Sequence, residues 1–178
     1  MRNLLLEALI KGPLTEKAPP VEQRALDEVS EALNRAARRR LGRSLSIREV
    51  DAGSCNGCEL EIHALNNAYY DIERFGLRFV ASPRHADVLL VTGPVTKNMK
   101  EALERTYRAT PDPKWVVAAG DCAIDGGCFA GSYAIIGSVS NVIPVDIHIP
   151  GCPPQPITIL RGLLALLDQR SQARAAER

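Results

Sequence analysis

The chain has 178 residues and a mass of 19.4 kDa, which suits one domain with a sizeable hydrophobic core. Apolar residues make up 46% and charged residues 24%, as in ordinary soluble proteins. A net charge of +1 and an aromatic content of 4% argue against a nucleic-acid-binding surface. No apolar run approaches the ~20 residues that span a bilayer, and the start of the chain shows no signal-peptide cleavage site. These features predict a soluble, intracellular protein without a nucleic-acid partner.

The first 45 residues differ in pattern from the rest and are interpreted as a helical extension. Residues 4–10 can form a short amphipathic helix, and a second helix is predicted over residues 21–41. The three arginines at 38–40 fall in the last turn of that second helix, where cations complement the helix dipole. We expect residues 1–45 to lie outside the core and to dock onto a partner or the membrane face.

From residue 45 onward, predicted strands alternate with predicted helices. The strands are expected at residues 46–50, 77–81, 86–92 and 114–119, with an extended run at 142–149, and the helices at 58–74, 97–110 and 154–169. This alternation predicts an α/β domain at residues 46–178, built on a doubly wound sheet of about four mainly parallel strands. In such sheets, ligands bind outside the carboxyl ends of the strands.

Five cysteines are the unusual feature of the chain: Cys55, Cys58, Cys122, Cys128 and Cys152. An odd number cannot pair completely within one chain, and an intracellular setting favours metal binding or thiol redox chemistry over disulfides. Cys55 and Cys58 follow the first predicted strand. Cys122 directly follows a buried strand, and Cys152 follows the extended run before the last helix. Four thiols are therefore predicted to meet at one edge of the sheet.

Four thiolates from three loops can form a closed cage, and iron–sulfur clusters are commonly held in this way. Zinc is an alternative occupant, although Cys122 lacks the second cysteine of a tight zinc knuckle. A thioredoxin-type dithiol at Cys55 and Cys58 is another alternative, but it leaves Cys122 and Cys152 without a role. Cys128 is interpreted as a small buried apolar residue outside the cage.

Several separated motifs occur in an order found in one known family. They are Cys55-Asn-Gly-Cys58, Glu73-Arg-Phe-Gly76, Ser82-Pro-Arg-His-Ala-Asp87, Gly120-Asp-Cys122 with Gly126-Gly127, and Pro144-Val-Asp146 leading to Pro150-Gly-Cys-Pro-Pro154. Over residues 46–168 the chain resembles the small, electron-transferring subunit of membrane-bound, energy-converting [NiFe] hydrogenases, such as formate hydrogenlyase complexes. That subunit belongs to the same superfamily as the 20-kDa (B) subunit of respiratory complex I.

The resemblance implies a flavodoxin-like fold that carries one [4Fe–4S] cluster. The implied ligands are Cys55, Cys58, Cys122 and Cys152, and the candidates for supporting the cluster are Gly57, Glu61, Gly151 and Pro153. Glu61 matches a characteristic acid of the family, for which a role in coupling protons to the cluster is one interpretation. The alternative is a carboxylate in the first turn of a helix, where it meets the positive end of the dipole.

The resemblance further implies a subunit of an oxidoreductase complex that is not catalytic alone. It would relay electrons to or from the [NiFe] centre of a large partner subunit. The expected partners are that hydrogenase large subunit or a complex I D-subunit-like protein, a ferredoxin-like iron–sulfur subunit and an integral membrane subunit. The expected location is peripheral, on the cytoplasmic side of the inner membrane.

Two residues separate Cys55 from Cys58, as in hydrogenases, whereas the complex I subunit has adjacent cysteines. A complex I-like transfer of electrons from the cluster to quinone is the first alternative function, and a free thiol oxidoreductase is the second. The chain departs from the family at Ser138-Val-Ser-Asn141, where relatives often carry Gly-x-Asp-Lys/Arg. It also departs at His148 and Cys128, where apolar or aromatic residues are usual.

Overall fold

The computed structural model of the protein describes residues 23–176. The predicted helix at residues 4–10 lies outside this range. The described chain begins with helix α1 and continues as an alternation of strands and helices, with short 3₁₀ turns between some of them. The elements are α1 (Gln23–Leu41), β1 (Leu45–Asp51), α2 (Gly57–Ala64), β2 (Leu77–Phe79), β3 (Val88–Thr92), β4 (Val95–Thr96), α3 (Lys100–Ala109), β5 (Trp115–Ala119), α4 (Asp121–Asp125), β6 (Ile135–Gly137), β7 (Ile147–Ile149) and α5 (Pro156–Ala176).

The main sheet has five strands in the order β2-β1-β3-β5-β7, and all neighbouring pairs are parallel. Relative to the chain, this is the flavodoxin order, in which the first strand lies between the second and the third. The direction of winding reverses beside β1, so the binding crevice is expected at the carboxyl ends of β1 and β3. The predicted flavodoxin-like fold is confirmed.

Strands β3 and β5 are buried at every position, which explains their continuous apolar sequences. Alternate side chains enter two separate apolar clusters, one on each face of the sheet. Leu90 and Val117 face the cluster formed with α1, α2 and α5, whereas Leu89 and Val116 face the opposite cluster around Leu103. The sheet is therefore covered on both faces, which leaves its carboxyl edge as the place for a site.

The structure differs from the prediction in four respects. The main sheet has five strands rather than about four, and β4 pairs with β6 in an additional antiparallel ribbon. Of the extended run at 142–149, only Ile147–Ile149 is a strand. The predicted helix at 58–74 stops at Ala64, because the Asn67 carboxamide oxygen accepts the N–H groups of Tyr69 and Tyr70 at 2.8 and 3.0 Å. Such side-chain bonds replace those of a continuing helix.

Helix α1 packs into the core, contrary to the expectation that residues 1–45 lie outside it. Leu26, Leu33 and Ala37 are buried in the same apolar cluster as Leu163 and Leu167 of α5. Their spacing of seven and four residues puts them on one face of the helix, which accounts for this packing. The domain therefore includes residues 23–41, and the proposed docking function remains a prediction for the residues before them.

No helix within residues 23–176 combines the length and apolar character needed to cross a membrane.

Replacing Leu33 with alanine should test whether α1 belongs to the core. Because Leu33 is 0% exposed, Leu33→Ala should lower the free energy of unfolding by about 2–5 kcal/mol, measured by urea denaturation. Arg35→Ala on the exposed side of the same helix is the control, and it should change stability by no more than about 0.5 kcal/mol. Equal effects of the two substitutions would show that α1 is a peripheral element.

Candidate metal centre

A cavity of about 110 Å³ opens at the carboxyl edge of the main sheet, well above the ~10–15 Å³ that one water molecule requires. Loops after four strands contribute to it: those after β1, β5 and β7, which carry the cysteines, and that after β3, which contributes Gly93. The cavity is lined by the cysteines Cys55, Cys58, Cys122 and Cys152, together with Ser54, Gly57, Gly93, Asp121, Gly151 and Pro153. The structure thus brings together the four thiols that the sequence placed at this edge.

Two side chains shape the loop after β1 by accepting hydrogen bonds from its backbone. Asp51 Oδ1 accepts the N–H groups of Gly53 and Ser54, each at 2.7 Å. Ser54 Oγ accepts the N–H of Asn56 at 3.0 Å, and Asn56 itself has a φ of 71°. Aspartate, serine and asparagine are the residues that stabilise such turns locally. The turn leaves Cys55 on the loop and begins α2 just before Cys58.

The loops after β5 and β7 are tied to each other through Asp121. Its carboxylate oxygen accepts the N–H of Gly151 at 2.8 Å, and its own N–H donates to the Gly151 carbonyl at 2.9 Å. Next to it, the Gly120 N–H donates to the Ile149 carbonyl at 2.8 Å. Because Cys122 and Cys152 each lie one residue beyond this connection, these hydrogen bonds set the relative position of their backbones.

Glycines keep β-carbons away from two of the sulfurs. A Cβ at Gly120 would lie 2.6 Å from the Cys58 sulfur, and a Cβ at Gly127 would lie 2.9 Å from the Cys122 sulfur. Both glycines also have positive φ angles, +92° and +49°. A side chain at either position would therefore displace a thiol or strain the backbone.

The two buried thiols have raised pKa values in the metal-free chain. Burial raises the pKa of Cys58 to about 12, and the charges of Glu59 and Cys122 add to this effect. Burial also raises the pKa of Cys122 to about 11, with Cys128 as the next largest influence. A metal that binds these sulfurs must displace their protons, so its binding is favoured by rising pH.

The donor set is suited to soft metals, because it consists of thiols. Around a single tetrahedral zinc ion, with Zn–S near 2.3 Å, the sulfurs would lie about 3.8 Å apart. Within residues 23–176 no group of three or more cysteine, histidine, aspartate or glutamate side chains is placed to hold one metal ion.

Some residues near the cavity differ from their predicted placement. Gly57, Gly151 and Pro153 line the cavity, whereas Glu61 is half-buried and is not among its lining residues. Cys128 is exposed, which corrects the interpretation of it as a buried apolar residue. It lies in a 3₁₀ turn after Gly126, at the start of an exposed loop, rather than in a core element.

Glu59 is a buried acid beside the site that no motif in the sequence marks. This residue is 6% exposed, and both of its carboxylate oxygens lack a hydrogen-bond partner among the described residues. It is adjacent to Cys58, where a charged residue in the first turn of a helix would ordinarily be taken as solvent-exposed. No periodicity in the sequence distinguishes it from the exposed Leu60 that follows.

The fold and the site together define a flavodoxin-like α/β domain with a cysteine-lined cavity at its ligand-binding edge. A family model described as NADH ubiquinone oxidoreductase, 20 Kd subunit, matches residues 55–166. The chain belongs to this family, a family of subunits of oxidoreductase complexes, which confirms the superfamily predicted from the motifs.

Individual relatives agree with this assignment. Formate hydrogenlyase subunit 7 of Escherichia coli is 41% identical over 177 residues, which cover 98% of this chain and 67% of the relative. The probable membrane-bound hydrogenase subunit mbhJ of Pyrococcus furiosus is 48% identical over 129 residues, which cover 72% of this chain and 77% of the relative. Among solved structures, a chain of the membrane-bound sulfane sulfur reductase, an archaeal respiratory membrane complex, matches with a TM-score of 0.66 and 36% identity. The match covers 82% of this chain and 78% of that chain.

The raised pKa of Cys58 predicts that alkaline pH destabilises the metal-free, reduced protein. Above the ordinary thiol pKa of 9.0, the unfolded chain releases this proton while the folded chain keeps it until about pH 12. The protonated Cys58 thiol makes its full contribution to stability below pH 9.0, and this contribution is lost as the pH rises toward the thiol's pKa in the folded chain. Urea unfolding should show that the free energy of unfolding falls more steeply between about pH 8 and about pH 10 for the wild type than for Cys58→Ala. Parallel profiles would mean that Cys58 ionises equally in both states.

Proposed function

We propose that the chain holds one [4Fe–4S] cluster through Cys55, Cys58, Cys122 and Cys152 and transfers single electrons within a membrane-associated oxidoreductase complex. The observation that carries this proposal is that four thiols from three loops line one cavity at the carboxyl edge of the sheet. Clusters of this type are held by four cysteine thiolates.

The residues present fit such a group. The cavity is larger than a single ion needs, and the bare backbone at Gly120 and Gly127 leaves the two nearest sulfurs unobstructed. When bound, the cluster would supply one-electron oxidation and reduction. The chain's own residues would hold it, bury one side of it and supply backbone hydrogen bonds around it, which set its potential.

The two sides of the site differ in exposure. Cys58 and Cys122 are buried, whereas Cys55 and Cys152 are exposed. A partner's redox centre can therefore approach from the side of Cys55 and Cys152. Leu60, two residues after Cys58 in the first turn of α2, is an apolar side chain that is 61% exposed. We propose that the large subunit docks on the side of Cys55 and Cys152.

The names of the three relatives specify different complexes: a formate hydrogenlyase, a membrane-bound hydrogenase and a sulfane sulfur reductase. The proposal therefore assigns electron transfer to this chain and the chemical reaction to its partner. A hydrogenase-type partner with a [NiFe] centre is favoured by the first two relatives and by the two residues between Cys55 and Cys58. Copurification with a large subunit that lacks cysteine ligands for nickel would contradict it, and reoxidation of the cluster by quinone would favour the complex I-like alternative.

A free thiol oxidoreductase is disfavoured by the number of thiols at the site. Such an enzyme would use Cys55 and Cys58 as its redox pair. Cys122 and Cys152, which line the same cavity, would then have no role.

The proposal also includes assembly at a membrane. The chain would bind peripherally on the cytoplasmic side, through an integral membrane subunit, and would exchange electrons with a ferredoxin-like iron–sulfur subunit. The residues before α1 are the proposed docking segment. Deleting residues 1–22 should release the chain from its complex without unfolding it, and an unchanged association would remove this part of the proposal.

Iron and acid-labile sulfide analysis of the anaerobically purified protein tests the central claim. About four of each per chain are expected, with an EPR signal on reduction. Replacing any of Cys55, Cys58, Cys122 or Cys152 with serine should abolish or strongly reduce cluster content. Cys128→Ser is the matched control and should retain the iron. Retention of four irons after loss of one proposed ligand would contradict the assignment.

Gly120→Ala should lower the iron content, because its Cβ would fall 2.6 Å from the Cys58 sulfur. Gly131→Ala is the matched control. It also has a positive φ, +80°, but a Cβ there meets no atom within 4 Å, so it tests backbone strain without the clash. Iron per folded chain should fall in Gly120→Ala and stay at the wild-type level in Gly131→Ala. Equal iron content in the two variants would show that the short distance between residue 120 and the Cys58 sulfur does not affect cluster binding.

A further inference from the structure

We propose that Asp121 is a positioning residue for the cluster, because its carboxylate holds the backbone that carries Cys152. Without this carboxylate, the iron bound to Cys152 is lost more readily than the rest of the cluster. The inference rests on the proposed function, and it concerns a residue that lines the cavity without being one of the proposed ligands. Asp121 acts through Cys152 and does not itself bind iron.

The segment that carries Cys152 has few groups with which to hold its own backbone. Its sequence is Pro150-Gly-Cys-Pro-Pro154, and since proline has no N–H, the only donors in its backbone are those of Gly151 and Cys152. Gly151 has a φ of +137°, and a Cβ there would lie 2.7 Å from the Pro154 Cα. The position of this tight segment therefore depends on bonds to the rest of the protein.

Asp121 provides such bonds from the neighbouring loop. Its Oδ1 accepts the Gly151 N–H at 2.8 Å, and its own N–H donates to the Gly151 carbonyl at 2.9 Å. Both polar groups of the Gly151 backbone are thus bound by one residue. Because Cys152 follows directly, the direction in which its side chain leaves the loop depends on this pair of bonds. Only the carboxylate bond is lost when the side chain at 121 is truncated.

The other three proposed ligands are held by different means. Cys58 lies in α2 and Cys122 in α4, so helical hydrogen bonds support their backbones. Cys55 lies in a loop whose backbone N–H groups are bound by two side chains of that loop and the preceding strand. Cys152 lies in neither a helix nor a strand, and it is exposed. Loss of the Asp121 carboxylate should therefore affect Cys152 before the other ligands.

A second aspartate makes the same pattern of bonds at the opposite end of β7. Asp146 Oδ2 accepts the Val116 N–H at 2.9 Å, and the Asp146 N–H donates to the Val116 carbonyl at 2.9 Å. Asp146 lies just before β7, whereas the cavity lies beyond its carboxyl end, and Asp146 is not among the lining residues. It provides a matched control, because it joins the same two strands without reaching Cys152.

The test compares the complete wild-type protein with three variants. Asp121→Asn keeps a side-chain oxygen as acceptor, Asp121→Ala has none, and Asp146→Ala removes the control bond. Iron and sulfide are counted in the anaerobically purified proteins, which are then treated with ferricyanide. Ferricyanide takes one electron from the cluster and becomes ferrocyanide, one iron leaves as Fe²⁺, and [4Fe–4S]²⁺ becomes [3Fe–4S]⁺. EPR of the oxidised protein then measures the fraction of three-iron cluster.

We expect a larger three-iron fraction in Asp121→Ala than in the wild type. Asp121→Asn should stay close to the wild type because it restores the acceptor, and Asp146→Ala should unfold at lower urea concentration but keep the wild-type fraction. Equal fractions in Asp121→Ala and the wild type would overturn the inference, as would equal rises in Asp121→Ala and Asp146→Ala.

Two further results would also overturn it. A rise in Asp121→Asn as large as that in Asp121→Ala would mean that the acceptor oxygen is unimportant. Failure of Asp121→Ala to fold would mean that the carboxylate serves the fold as a whole rather than Cys152. The comparison between the two Asp121 variants does not depend on the folding of Asp146→Ala.

A measurement on the metal-free protein separates this inference from the proposed function. The Gly151 amide, followed by NMR, should exchange its hydrogen about tenfold or more faster in Asp121→Ala than in the wild type, because a hydrogen bond to a charged group is lost. Equal exchange rates would overturn the inference whether or not the protein binds iron. A wild-type protein without iron would overturn the proposed function, while faster exchange in Asp121→Ala would still support the positioning of this backbone by Asp121.

Discussion

The alignment of parallel strand ends is the constraint on which the site depends. Val91 pairs with Val50 on one side and with Ala118 on the other, and Ala119 pairs with Ile149, so neighbouring strands end at nearly the same level. The loops that follow them are then held together at short range, as the double hydrogen bond between Asp121 and Gly151 shows. Three distant stretches of sequence are brought to one cavity by the register of the sheet.

This convergence has an electrostatic consequence. Thiols and Glu59 are concentrated in a partly buried space, where burial raises the pKa of Cys58 and the charges of Glu59 and the neighbouring cysteines raise it further. In the proposed site, cationic iron would offset these negative charges and replace the thiol protons, so an environment that keeps the free Cys58 thiol protonated could still hold it as a metal-bound thiolate. Glu59 adds negative charge beside Cys58 and has no hydrogen-bond partner within the described chain, which links this acid to the charge state of the site.

The sequence predicts most of the fold and the convergence of the cysteines, because continuous apolar runs such as that of β3 and the position of cysteines after strands are strong local signals. It does not predict the antiparallel pairing of β4 with β6, whose strands of two and three residues are too short to show a period. The core position of α1 was missed although Leu26 and Leu33 show the amphipathic spacing, because that pattern does not reveal which surface covers the helix. The exposure of Cys128 and the burial of Glu59 depend on tertiary contacts that local pattern does not encode.

Under the proposed function, the chain contributes to its complex through the position and potential of one redox centre. The four proposed ligands lie in loops at the sheet edge, so a substitution in one loop is expected to affect assembly of the site as a whole. The chemical reaction is assigned to the partner rather than to these residues. This distinction fits a family whose relatives are named for different reactions: the cysteine-lined cavity can be kept while neighbouring residues and partners adjust the energy at which an electron is passed on.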